Sequence, residues 1–126
     1  MNTSYFANIS NVKTPVSISR FSPKWYIGPE FKELAPSTRL LLDYKSEIIN
    51  DDEYVRRFSR EFAKLDPQTV YKTLISLYGD DVTLLCYEKP GDFCHRHIVS
   101  GWLSSHNGIH ISELELPNPV IKGVIW

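Results

Sequence analysis

The chain has 126 residues, of which 23% are charged, and a formal net charge of -1. That is one domain of ordinary size, able to bury a core without disulfides or metal and too short for a second one. The near balance of charge leaves no basic footprint and no like-charge tail, so nucleic acid is not expected as a partner.

The opening MNTSYFANISNVK lacks the positive start and long apolar core of a signal peptide. No apolar stretch reaches the roughly 18 residues of a membrane span. A cytoplasmic protein without a membrane partner is therefore expected. The two cysteines, Cys86 and Cys94, are too few for a disulfide framework, and in that compartment both are expected as free thiols.

In chain order, residues 4–10 carry Tyr5, Phe6, Ala7 and Ile9 and read as a first strand. After a turn over residues 11–15, the alternation in residues 16–19 predicts a second short strand. Residues 20–26 then abandon any period: Arg20, Phe21, Ser22, Lys24, Trp25 and Tyr26 put two cations, hydroxyls and three rings into one loop. Such a set can hold an anion and stack a planar group, although aromatic residues in loops commonly just cover a core edge. Residues 28–36 read as loop with a turn of helix near residues 30–34.

Ser37 or Thr38 can cap a helix running to about Lys45. Asp51 or Asp52 can cap a clearer one, in which Tyr54, Phe58 and Phe62 recur at four-residue steps; Arg56, Arg57 and Arg60 form its solvated face. Asp66-Pro67 starts a third helix that Gly79 stops. Residues 82–87 are an apolar run too short for a helix and bounded by turn residues, which predicts a central strand with Leu84 and Leu85 buried. Asp92 can cap a helix over residues 93–105, with an apolar stripe of Ile98, Val99, Trp102 and Leu103. Asn107-Gly108 ends it. Ile109, Ile111 and Leu114 open a last extended part with His110 facing out, and residues 116–126 read as a packed strand or tail. This order predicts a single α/β domain over residues 1–126, three-layered, with a largely parallel sheet.

In such sheets ligands sit beyond the carboxyl ends of the strands, where helix N-termini offer positive potential. Cys86 and Glu88 would lie near one strand's carboxyl end and Cys94, His95 and Arg96 in the next helix's first turn. The dipole and nearby cations favour the thiolate of Cys94, making it the candidate nucleophile. Glu88 and His95 are candidate acid–base groups, and Arg96 a candidate anion clamp. The plainer alternative is packing cysteines, a satisfied half-buried histidine, and a Glu88–Arg96 ion pair holding the turn. Metal is not expected, because Cys-x7-Cys-His-x-His lacks the paired knuckles of zinc sites. The Cys-x5-Arg spacing of cysteine phosphatases is also missing.

The stretch LLCYEKPGDFCHRHIVSGWL resembles the core signature of a bacterial and viral family, domain of unknown function 488, with its Leu-Leu-Cys-x-Glu and Cys-His-Arg elements. SISRFSPKW resembles the family's early serine, proline and tryptophan segment, and DEYVRRFSREFAKLD its tyrosine-bearing helix, so the likeness covers residues 5–115. It implies a flavodoxin-like or Rossmann-like fold and a site cluster at Arg20, Lys24, Glu88, Cys94, His95 and Arg96. The resulting expectation is an enzyme acting on a nucleotide-like or other phosphorylated, anionic small molecule, bound by Arg20, Ser22, Lys24, Trp25, Tyr26 and Arg96. No cofactor is expected. The alternative is a noncatalytic sensor or protein-interaction module using the same pocket.

Overall fold

The computed structural model describes residues 1–88 and 93–114. Its centre is β3 (Val82–Cys86), five consecutive buried residues. It lies between β1 (Asn2–Tyr5) and β2 (Thr14–Ser17), and β4 (Ser112–Glu113) extends the sheet beyond β1 in the order β2-β3-β1-β4. Every pairing is parallel. The carboxyl ends of the strands therefore share one edge, and Tyr5 sits opposite Cys86 in the register there.

Four helices follow the pattern of apolar residues: α1 (Thr38–Lys45), α2 (Asp51–Phe62), α3 (Pro67–Tyr78) and α4 (His95–Asn107). One face of the sheet, with Val16, Val82 and Leu84, packs on Tyr54, Phe58 and Phe62 of α2, Val70 and Leu74 of α3, and Val99 and Leu103 of α4. On the other face, a 3-10 helix (Phe6–Asn11) is tied to β1 by the Asn8 amide, which donates to Ser4 Oγ at 3.1 Å. The Phe6 ring there meets Tyr87, Tyr26 and Trp25 with centroids 5.0, 5.4 and 6.2 Å away. The architecture is thus a three-layer α/β domain with an all-parallel sheet, of flavodoxin-like or Rossmann-like type. No helix among the described residues is long and apolar enough to cross a membrane.

Several boundaries differ from the sequence expectations. The first strand is Asn2–Tyr5 instead of residues 4–10, because Asn8 and Asn11 bond each other and Ser4 through their side chains and draw the segment into a 3-10 turn. The second strand begins two residues early and contains Pro15, which an edge strand tolerates. Asn50, not Asp51 or Asp52, caps α2, leaving both aspartates in a first turn whose dipole favours them. Ser37 and Asp66 cap α1 and α3 as expected, and Gly79 and Gly108 close α3 and α4 with positive φ. The helix expected over residues 93–105 runs His95–Asn107 with Cys94 as its N-cap. Asp92, the expected cap, and the segment 116–126 lie outside the described residues.

Candidate thiol site at the sheet's carboxyl edge

The last residue of β3 and the cap of α4 are joined covalently: Cys86 and Cys94 form a disulfide. This corrects the expectation of two free thiols. Parallel topology explains it, since the end of a central strand and the start of the next helix meet at the same edge. Cys94 has the extended backbone usual for an N-cap, at φ -152° and ψ 143°, and α4 begins after it.

His95 is buried against this pair, its ring edge-on to Phe58 with centroids 5.5 Å apart. Nε2 lies 2.7 Å from the carbonyl oxygen of Ile18, which can only accept, so Nε2 carries the proton. Nδ1 is left with its lone pair directed at the sulfurs, 3.3 Å from Cys86 Sγ and 4.0 Å from Cys94 Sγ. Burial pushes the His95 pKa down to about 4, against a smaller upward effect of the Ile18 carbonyl. The ring is therefore neutral at physiological pH. The two sulfurs and Nδ1 all lie within 4.8 Å of one another.

A small cavity of about 70 Å³ borders these three residues, with Leu41, Tyr44 and Lys45 of α1, Tyr54 of α2, and Tyr87, Glu88 and Phe93 completing its wall. Tyr44, Tyr54 and Phe93 pack mutually in tilted and edge-to-face arrangements, with centroids 4.9 to 5.5 Å apart. The phenol of Tyr44 donates to Asp51, and that bond, with burial, pushes its pKa up to about 12. Burial likewise raises that of Tyr54. Both phenols stay protonated at neutral pH. A wider groove along residues 44–52 shares Tyr44 and Lys45 but none of the sulfur chemistry.

The expected site residues divide into three groups. Cys94, His95 and Glu88 meet at the cavity, Glu88 at its exposed rim. Arg96 is at 0% exposure and faces inward: Nε and Nη2 donate to the two oxygens of Glu113 at 3.1 and 2.8 Å, and Nη1 donates to the Glu88 carbonyl. Thr3 donates to the same carboxylate at 2.6 Å, so Arg96 joins α4, β4, β1 and the end of β3. The ion pair considered between Arg96 and the Glu88 carboxylate is replaced by this one.

The Arg20 to Tyr26 loop is separate from the cavity wall. Arg20 donates through Nε to the Pro36 carbonyl at 2.8 Å, Ser22 donates to Glu30, and the Tyr26 phenol donates to the Pro29 carbonyl at 2.8 Å. Lys24 and Trp25 are exposed. Tyr87 links the two regions, lining the cavity while its phenol donates to the Phe21 carbonyl. Tyr44, Lys45, Tyr54 and Phe93 were not expected at the site; Tyr54 stood in an aromatic stripe read as the core face of its helix, and the other three carried no signal of the cavity.

A family model described as "Active DUF488-N3 subclade" matches residues 11–107. The chain belongs to the DUF488 family. That span includes the loop, both cysteines and His95, and stops short of β4 with Glu113. No curated protein and no solved structure matches this DUF488 chain.

Proposed function

We propose that this DUF488 chain is an enzyme that, once its disulfide is reduced, directs a cysteine thiol at a small nucleotide-like or otherwise phosphorylated molecule. The observation that carries the reading is the His95 Nδ1 lone pair, aimed at both sulfurs beside a cavity. Cys94, as the cap of α4, sits in positive potential that favours thiolate, so it is the nucleophile. The neutral His95 ring orients the thiols through its Nδ1 lone pair. Cys94 attacks as the thiolate with its proton lost to water, and a bond forms from sulfur to the reacting atom of the ligand while the leaving group departs with a proton relayed from water by Glu88 at the rim. A further water then cleaves the sulfur–ligand bond to return the thiol. Cys86 holds the imidazole from the strand side. The cavity accommodates the reacting group, with the rest of the ligand over the rim; Lys45 is the cation there among the described residues. Arg96 and Arg20, whose guanidinium groups are engaged internally, are not the first choice for the anion.

A noncatalytic, redox-responsive sensor is the second reading, favoured by the fact that both sulfurs are held in one bond. The test uses the reduced chain. Cys94 is expected to alkylate faster than Cys86 at neutral pH, with a midpoint below the ordinary thiol value of about 8.5, and His95→Gln to slow it. Equal, slow labelling of both thiols would remove the nucleophile. Screening phosphorylated ligands by thermal shift separates the two readings, because conversion of a stabilising ligand supports the enzyme and its recovery unchanged the sensor.

A further inference from the structure

We propose that reduction turns the same cluster into a binding site for one soft divalent cation, zinc above all, held by Cys86 Sγ, Cys94 Sγ and His95 Nδ1. The sequence spacing spoke against metal because it lacks paired knuckles; the fold supplies convergence by another route, a strand end meeting a helix cap. Zinc bonds of about 2.3 Å to sulfur and 2.0–2.1 Å to nitrogen at tetrahedral angles put a sulfur and a nitrogen ligand about 3.5 Å apart. The distances from Nδ1, 3.3 and 4.0 Å, bracket that value. Opening the covalent link lets the sulfurs separate to the corresponding sulfur–sulfur edge.

The imidazole is already prepared. Nε2 donates to the Ile18 carbonyl, the outer hydrogen bond that fixes tautomer and orientation in metal-ligating histidines. His95 is at 6% exposure, and the described partners of Nδ1 are the sulfurs. All three residues border the cavity, which leaves a fourth coordination position for water or a ligand atom, the pattern of an open rather than a closed site.

The chemistry balances with a dithiol reductant. Its two S–H groups give two electrons and two protons to the Cys86–Cys94 bond, the reductant becomes a disulfide, and two protein thiols result. Metal capture then displaces both thiol protons to water. A bound cation occupies both sulfurs, so it competes with any thiol nucleophile, and oxidation expels it.

The test is an anaerobic titration of the full chain with Co²⁺, whose thiolate charge-transfer absorption reports sulfur ligation. The reduced protein is expected to bind one equivalent, release two protons, and lose the absorption when Zn²⁺ displaces cobalt; the oxidised protein is expected to show none. His95→Gln should weaken binding by about 10–100-fold or more, at least the loss seen when an outer partner of a ligand is removed. Cys86→Ser and Cys94→Ser should each abolish the two-thiolate absorption. Alkylating the reduced wild type provides the same control where a variant fails to fold. No stoichiometric absorption in the reduced chain, or binding unchanged by loss of His95, overturns the site. Fast alkylation of Cys94 without cobalt binding overturns the metal site and leaves the thiol reading standing.

Discussion

Replacing Arg96 tests whether the Cys94-His95-Arg96 stretch ends in a ligand clamp or an internal strut. Its guanidinium is fully buried, forked onto Glu113 and bonded to the Glu88 carbonyl. Arg96→Ala leaves the Glu113 carboxylate, whose side chain is only 24% exposed, and the carbonyl without their donor. Stranding one member of a buried pair costs about 3–5 kcal/mol. At about 2.1 cal/mol/K per residue, 126 residues unfold with about 0.26 kcal/mol/K, so the midpoint should fall by about 11–19 °C. Arg96→Lys keeps the charge but loses the fork, and about 1.5–3 kcal/mol is expected.

Two controls sharpen the outcome. Glu113→Gln should cost nearly as much as Arg96→Ala, and the double variant should be less unstable than the sum by about 0.5–3 kcal/mol, since the partners share one network. Glu88→Gln should change stability by no more than about 0.5 kcal/mol, because Arg96 uses the main chain of that exposed residue. Thermal and urea unfolding followed by circular dichroism give all five numbers. A melting temperature for Arg96→Ala within about 2 °C of the parent, or a Glu88→Gln loss as large as that of Glu113→Gln, would refute the strut.

Three further outcomes are expected. His95 has its pKa lowered by burial from 6.5 to about 4, so below the higher value the unfolded chain binds a proton that the folded chain refuses: stability should be full above about pH 6.5 and fall by about 3 kcal/mol toward pH 4, and a pH series of denaturant melts on His95→Gln should be correspondingly flatter. Leu84→Ala, at a fully buried position of the central strand, should cost about 2–5 kcal/mol, whereas Leu77→Ala, at 62% exposure, should stay within about 0.5 kcal/mol; equal losses would contradict the assignment of sheet and surface. Asn50→Ala removes the side chain that accepts from the Glu53 amide and should cost about 1 kcal/mol, with Asp51→Ala costing less if Asn50 is the true cap of α2.

What was legible in the sequence follows from the range of the forces involved. The helices were legible because caps and apolar spacing act within a few residues: Ser37, Asp66-Pro67 and Gly79 each mark an end found in the structure. The central place of β3 was legible because a strand covered on both faces has to be apolar throughout, and residues 82–86 all are buried. The first strand was misjudged because Tyr5, Phe6 and Ile9 suit a strand while Asn8 and Asn11 offer the backbone a local substitute, and a pattern of hydrophobicity does not weigh the two. The same limit applies at the site. Placing Cys86, Cys94 and His95 at one edge required only the topology of strand and helix, which the order of elements suggests. Their chemistry depends on partners 77 residues away for His95 and 17 for Arg96, namely the Ile18 carbonyl and the Glu113 carboxylate. Ile18 acts through its backbone, so its side chain carries no sign that it fixes an imidazole tautomer. Glu113 lies on a two-residue strand, too short to announce itself, yet it decides that Arg96 points inward. The sulfurs show the reverse case: their spacing argued against a metal site and the expected compartment against a disulfide, and the fold joins them. Spacing rules describe ligands on one local element, whereas a parallel α/β edge gathers them from two. In a chain of this kind the sequence distance between a strand's last residue and the next helix's cap is therefore a poor measure of what those residues can hold together.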